Sequence, residues 1–331
     1  MNTAILLIAY IRPETTIHVI NALRKIKAKS IYIYHGIPKK KKCQDFENYK
    51  KVSNIIKNIN WNCKLKLKKQ KDVDSYTAWK SAIKWFFENE REGIILEDDI
   101  VPNKSFFIFC TKLLKKYRHN KKIAQICGSS FINQANISNE NYFFSNYSLG
   151  WGWATWRRSI IDFDEKLKGW PEIKKNKTFL RIINDKNFLK YWTKIFDNQY
   201  KNKLKAWDQK WLYSNWKNEK LSIIPKKHLT KNIGFGKSAT HTKIKHWYSD
   251  LETQELKFNN KHPKNVIADL NYDNWLNNCV FGINFHYLKK KIIKNKILKS
   301  KLIFGLIRFG FTKIIKPLFR FIKTSKLINY T

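Results

Sequence analysis

The stretch Gly-Ile-Ile-Leu-Glu-Asp-Asp-Ile-Val-Pro at residues 93–102 constrains the fold more than any other part of the chain. Ile94, Ile95 and Leu96 form a short apolar run, which reads as the end of a strand buried on both faces, as in a parallel sheet. Glu97, Asp98 and Asp99 follow at once, and Pro102 marks a turn. Adjacent carboxylates repel and are costly to bury uncompensated. Ligands of open α/β sheets lie at the carboxyl ends of the strands. Hard cations such as Mg²⁺ or Mn²⁺ take one or two carboxylates together with phosphate oxygens. A strand that runs into acids therefore predicts a site for a metal-bound diphosphate. The other reading is an exposed acidic turn between strand and helix.

The sequence before and after supplies the other strands of such a sheet. Residues 4–9 predict a buried first strand, and Pro13 opens a helix to about residue 27, with Ile17, Ile20, Leu23 and Ile26 at helical spacing. Residues 30–34 predict a second strand that turns at His35-Gly36-Ile37-Pro38. A helix over 45–56, a third strand over 61–67 and a helix over 76–88 follow. Beyond the acids come a helix over 104–117 and a strand over 123–127. Strands alternating with helices imply an α/β fold, a mostly parallel central sheet with flanking helices. Residues 142–216 are rich in Trp, Tyr and Phe without this regularity, and are expected to be an irregular region that shapes a pocket. Residues 229–242 form a polar loop containing glycines.

Composition narrows the class. The chain has 331 residues, 43% of them hydrophobic, enough for a core and against global disorder. Its net charge is +41, carried mostly by lysine, with Ile and Asn abundant. A base-composition bias toward A and T would give that pattern; attraction to anionic lipid, nucleic acid or an acidic substrate is the functional reading. Five cysteines, widely spaced and without a C-x-x-C pair, suggest neither zinc nor a disulfide framework, and fit reduced thiols in a cytosolic protein. The apolar start at residues 4–11 lacks a basic flank and is cut by Arg12-Pro13, so it reads as a strand rather than a signal peptide. No run reaches the ~18 apolar residues of a spanning helix. Over residues 288–328, apolar positions such as Leu288, Ile292, Ile293 and Ile297 alternate with lysines and no acid occurs. That predicts a basic amphipathic helical tail, broken near Gly305, Gly310 and Pro317, that binds an anionic membrane surface. The alternative is a helix packed on the domain.

Three segments together carry a resemblance. The first strand with its Arg12-Pro13 loop, the Leu-Glu-Asp-Asp run, and Gly150-Trp151-Gly152-Trp153-Ala154-Thr155-Trp156 resemble nucleotide-diphospho-sugar glycosyltransferases of the GT-A fold, a Rossmann-like architecture. They look closest to bacterial relatives of N-acetylglucosaminyltransferase I. Trp207-Asp208-Gln209-Lys210-Trp211 and Ala239-Thr240-His241-Thr242 add to the likeness, which covers about residues 1–245. Residues 246–287 read as an extension of that domain, and 288–331 as the tail.

The resemblance implies roles. Asp99, last acid of a DXD-like run, would hold Mn²⁺ or Mg²⁺, and Glu97 and Asp98 would contact the donor. Arg12 would reach the donor phosphates, unless it is an ordinary surface pair. Asp208 would be the catalytic base of an inverting transfer, its basicity raised by Trp207 and Trp211; the other reading is a helix cap. Trp151 and Trp153 would stack on sugar rings or plug the core. His241 would be a second metal or phosphate contact, and Lys237 would touch phosphates. Relatives often read the base with an acid after the second strand; His35 stands there, as a capped turn residue. The implied activity is a metal-dependent, inverting glycosyltransferase of hexosyltransferase type. It would move a sugar from a nucleoside diphosphate, UDP above others, to a hydroxyl of a surface glycan such as lipopolysaccharide or capsule. Glycan or glycolipid acceptors would be met at the cytoplasmic face of the inner membrane. The rivals are a sugar nucleotidyltransferase, which would want a glycine-rich loop that residues 9–16 lack, and a basic nucleic-acid-binding protein, for which no recognition module is visible.

Overall fold

The computed structural model of the protein describes residues 1–38, 43–71, 74–131, 140–235, 246–259 and 261–284. Residues Met1–Leu276 form one compact unit and Asn277 begins a second. Of the second, residues 277–284 are described, a helical turn in which Asn284 Nδ2 donates to Asn278 Oδ1 at 2.6 Å. The predicted tail at 288–328 lies outside the described residues. No described helix is long and apolar enough to cross a membrane.

In the first unit β1 (Ile5–Ala9), α1 (Pro13–Lys25), β2 (Ser30–Ile37), α2 (Cys43–Lys57), β3 (Lys64–Lys71), α3 (Ser75–Asn89) and β4 (Glu92–Glu97) alternate as expected. After β4 come β5 (Ile100–Pro102), α4 (Lys104–Lys116), β6 (Ile123–Cys127), β7 (Tyr142–Ser145) and β8 (Trp153–Trp156). Helices α5 (Arg157–Ile161), α6 (Trp170–Lys175), α7 (Leu180–Ile183), α8 (Lys186–Tyr200) and α9 (Trp207–Lys217) precede β9 (Leu221–Pro225), β10 (Thr230–Asn232) and α10 (Leu270–Trp275). Eight strands make the central sheet in the order β3-β2-β1-β4-β8-β6-β9-β7, while β5 and β10 pair separately. The pairs β1–β2, β2–β3, β1–β4 and β6–β9 are parallel. Strand β8 runs antiparallel between β4 and β6, and β7 antiparallel beside β9. The expected α/β class, with a mostly parallel sheet under helices on both faces, is the observed one. One core face joins Leu7, Leu23, Ile33, Leu96 and Phe106; the other joins Leu6, Tyr34, Trp79, Phe86 and Trp211.

Local chemistry explains the helix starts. Pro13 at the first position of α1 lacks an N–H that the helix would not use, and Thr16 donates both its N–H, at 3.0 Å, and its hydroxyl, at 2.6 Å, to Arg12 O. Asp74 accepts from Thr77 N and Asn103 from Phe106 N, each at 3.0 Å, as side-chain caps of α3 and α4.

Three expectations are corrected. The third strand is Lys64–Lys71, not 61–67, because it is the sheet edge; its lysines sit in water and erase the apolar pattern that would have marked it. Residues 142–216, expected to be less regular, do break the alternation but hold more structure than expected: two sheet strands and five helices. Each of those strands is four residues long and buried throughout, so neither alternation nor length announces it. Pro102 is not the turn; the chain turns at Asp98-Asp99, and Pro102 ends β5. The described residues from 246 to 276 stay with the first unit: Gln254 N donates to His228 O at 2.7 Å and Asn141 Nδ2 to Lys257 O at 3.0 Å.

Candidate functional site

The topology creates a crevice at one place. The chain lays down β1, β2 and β3 in one direction, then α3 carries it back to β4 on the other side of β1. Loops leaving β1 and β4 therefore diverge at their carboxyl ends, which is where open α/β sheets bind ligands. Register places Ile8 beside Glu97 and Ala9 beside His35. Tyr10 and Arg12 after β1 thus meet Asp98 and Asp99 after β4.

Arg12 bridges the acids. One guanidinium nitrogen pairs with Asp98 Oδ1, and Nη1 meets Asp99 Oδ2 at 2.7 Å. Asp98 Oδ2 also accepts from Tyr10 N at 3.0 Å. Burial disfavours the guanidinium charge, but Asp98 and Asp99 more than offset it and hold Arg12 above its ordinary value. Arg12, expected to reach donor phosphates or to be an ordinary pair, is here ion-paired with partners 86 and 87 residues away in sequence. Burial pushes Asp98 up to about 6 despite Arg12. Burial, then Asp99 and Asp98, pushes Glu97 up to about 8, with Arg12 pulling back and Asp208 adding to the rise. Asp208 is thus near enough to be felt by the acid run, although 109 residues separate it from Asp99 in sequence (208 minus 99).

Asp99 has the marks of a cation ligand. It is 7% exposed, and its Oδ1 is buried with no hydrogen-bond partner among the described residues. Orphaned buried carboxylate oxygens are rare in folded proteins and call for an explanation, of which a bound ion is one. The β5–β10 pair folds the 229–235 segment over it: Ile233 N donates to Asp99 O at 2.9 Å. Gly234 lies so close that a Cβ there would run into the Asp99 carboxylate. Among the described residues no three His, Cys, Asp or Glu side chains gather as a metal cluster. The donor set fits a hard cation held by one carboxylate and completed by phosphate and water oxygens, the habit of Mg²⁺ and Mn²⁺. His241 and Lys237 lie outside the described residues.

Asp208 occupies the first turn of α9 and is exposed; its Oδ1 accepts from Gln209 N at 2.9 Å. The N-cap itself is Ala206, with no side-chain cap bond. The expected shielding by tryptophan is corrected. Trp207 stacks between Trp79, 4.6 Å away at 10°, and Trp153, 5.6 Å away at 18°. Trp211 is buried and donates Nε1–H to Gln125 Oε1 at 2.6 Å. Both indoles anchor the helix and leave the carboxylate in water. Trp153 is 1% exposed within that stack, so it cannot meet a sugar. Trp151, half-buried, packs on Phe131 at 4.9 Å and Phe235 at 5.7 Å. The two tryptophans part because Gly152 between them sits at φ +67°, which breaks strand alternation.

Other residues escaped the sequence. Tyr10 is 42% exposed at the crevice, its ring over Gly36, where a Cβ would come within 3.0 Å of it. The signal was there: an aromatic ending a buried strand opposite a glycine. His35 is not a capped turn residue but a buried residue within β2. Its ring stacks on Tyr49 at 4.3 Å, its Nε2 lies 3.0 Å from Tyr10 O, and burial lowers it to about 4.

No protein-family profile matches the chain. No curated protein matches it either. Solved structures do. TarS of S. aureus aligns at TM-score 0.39 and 11% identity, over 70% of this chain and 36% of that one. The glycosyltransferase GlyE of Streptococcus pneumoniae TIGR4 aligns at TM-score 0.30 and 11% identity, over 67% of this chain and 45% of that one. Mouse xyloside xylosyltransferase 1 aligns at TM-score 0.27 and 7% identity, over 65% and 81%. The chain thus spans less than half the length of the two bacterial structures. Glycosyltransferases are among the solved structures it resembles, at a distance that fixes neither family nor activity.

Proposed function

We propose that the chain is a glycosyltransferase that takes a nucleoside diphosphate sugar as donor. The observation that carries the reading is the partnerless Asp99 Oδ1, buried at the β1–β4 crevice beside Arg12, Asp98 and Glu97. Arg12 offsets one of the two charges of Asp98 and Asp99, so these three groups sum to a single negative charge. That balance attracts a divalent cation more than a bare phosphate. Bound there, Mn²⁺ or Mg²⁺ would neutralise the diphosphate as charge builds on the leaving group. Asp99 would hold the cation. Arg12 would turn toward the diphosphate once Asp99 has another partner. Tyr10 would lie flat under the nucleobase. Asp208, exposed and within electrostatic reach of Glu97, would take the proton of an acceptor hydroxyl as that oxygen attacks the anomeric carbon. The sugar–phosphate bond breaks on the opposite face and the diphosphate leaves, inverting the centre.

The finer reading follows the sequence: a UDP-linked hexose, a surface glycan or glycolipid acceptor, and kinship with N-acetylglucosaminyltransferase I. A nucleic-acid role would leave a net negative site facing phosphates, a repulsion that the one arginine relieves only in part. The test is calorimetric titration of UDP and UDP-sugars with and without Mn²⁺, followed by turnover. Asp99→Asn is expected to keep its melting temperature and lose the Mn²⁺-dependent part of nucleotide affinity. Asp208→Asn is expected to bind donor as the wild type does and transfer ~10²–10⁴-fold more slowly. Mn²⁺-dependent affinity retained in Asp99→Asn would sink the metal site; full turnover in Asp208→Asn would move the base elsewhere.

A further inference from the structure

Strands β4 and β6 are separated by β8 alone, so their carboxyl ends lie roughly 10 Å apart along one edge of the sheet. Glu97, Asp98 and Asp99 leave the first; Gly128, Ser129 and Ser130 leave the second. His228 follows β9, the parallel neighbour of β6, at the same edge. Ser129 Oγ, Ser130 Oγ and His228 Nε2 are each buried without a hydrogen-bond partner. Eight side-chain atoms are in that state among the described residues, and three of them belong to these neighbouring residues of the β6 and β9 ends. Native proteins keep such atoms few, and a cluster asks for an explanation.

The cluster is fixed rather than loose. Ser130 N donates to His228 Nδ1 at 3.4 Å, and Tyr272 donates its hydroxyl to Ser130 O at 2.7 Å. Leu229 N donates to Gly128 O at 2.9 Å, and Gly128 N to Gly152 O at 2.7 Å. The next residue, Phe131, holds φ +54°, a strained setting for a bulky side chain. Its ring packs on Trp151 at 4.9 Å and His228 at 5.8 Å. Strain, orphaned polar atoms and a half-buried tryptophan coincide beside the crevice.

The chemistry selects the ligand class. Because His228 Nδ1 accepts from Ser130 N, the ring proton belongs on Nε2, and burial keeps the ring neutral. The three groups offer one N–H donor and two hydroxyls that give or take, and no charge. That suits a neutral polyol, whose own hydroxyls also give and take hydrogen bonds and bring no charge to balance. The neighbouring Trp151 adds a flat apolar wall of the kind sugar rings pack against.

We infer that Ser129, Ser130 and His228 form the pocket that reads the hydroxyls of the donor's sugar ring, with Trp151 as its wall. This rests on the glycosyltransferase reading above and assigns its sugar specificity to these residues. The acids hold the diphosphate end; two strand spacings along the edge, the ring it carries reaches the serines.

The experiment titrates UDP, GDP and dTDP, each alone and as sugar conjugates, into the wild type, Ser129→Ala/Ser130→Ala and His228→Gln with Mn²⁺ present. The wild type is expected to bind one conjugate better than its bare nucleotide. The variants should bind the bare nucleotide as the wild type does, while the preference among sugars falls about tenfold or more. The melting temperature of ligand-free Ser129→Ala/Ser130→Ala should hold or rise, because no hydrogen bond is lost. Unaltered sugar preference with normal nucleotide binding overturns this proposal alone. A melting temperature many degrees lower overturns it too, since the hydroxyls would then be structural. If the wild type binds no nucleotide, the parent reading falls and takes this one with it.

Discussion

Two buried histidines set the residue-scale behaviour of the site edge. Burial is the main reason that His35 and His228 both sit at about 4, well below the ordinary 6.5. Lys69 lowers His35 further, while its bond to Tyr10 O opposes the fall. A histidine with a folded pKa below its unfolded one contributes stability above pH 6.5 and loses it as pH falls toward 4. A displacement of this size is worth about 3 kcal/mol per ring. Asp273 works against that trend: burial raises it to about 6, so its share of stability grows as pH drops through 6. The wild-type melting curve alone therefore mixes opposite signs, and a variant is needed to isolate one ring. Glutamine at position 35 keeps a donor for Tyr10 O and cannot titrate. The melting-temperature gap between wild type and His35→Gln should be constant from pH 8 to 7. It should shift in favour of His35→Gln as pH falls from 6.5 to 4.5. A gap independent of pH would mean that His35 charges freely in the folded protein.

At the scale of elements, the small antiparallel pair β5–β10 shapes the acid site. It closes the 229–235 segment onto Asp99, and Gly234 makes the approach possible. Gly234→Ala should leave the sheet intact, since β10 ends before it, and displace the Asp99 carboxylate. We expect a melting temperature within a few degrees of wild type and Mn²⁺-dependent nucleotide affinity reduced as in Asp99→Asn. Wild-type affinity in Gly234→Ala would show that the carboxylate has room to retreat and still bind. The pair also marks the limit of sequence reading. Strands β1, β2, β4 and β6 and helices α1 to α4 were legible, because apolar runs and 3.6-residue spacing record burial directly. The acid run was legible as a site because strand ends are binding places. Its arginine partner was not, because an ion pair across 86 residues leaves no local trace. Trp151 and Trp153 looked equivalent, and only the left-handed Gly152 tells them apart. Ser129, Ser130 and His228 carry no motif; they stand out only when burial and missing partners are seen together.

At the scale of the whole molecule, charge is the property that local structure does not use. The acid site needs one arginine, yet the chain carries +41. Residues 288–328 carry 13 of these charges, where basic residues alternate with apolar ones and no acid intervenes. At a bilayer surface the apolar residues give burial energy, and each lysine near anionic headgroups adds roughly 1 kcal/mol. Either contribution alone anchors weakly; we propose that together they attach the protein at the inner membrane face. The first unit ends at Leu276, before this stretch begins. Removing residues 288–331 should therefore leave Mn²⁺-dependent nucleotide binding unchanged. The shortened protein should stay in the supernatant with anionic vesicles at low salt, where the full chain sediments. The full chain should come off as salt rises, because screening at 1 M cuts the Debye length to about 3 Å. It should not sediment with zwitterionic vesicles at any salt. Equal sedimentation of the two forms would assign the lysines to a packed helix or to compositional drift, and the attachment would then have to be sought in the first unit or abandoned.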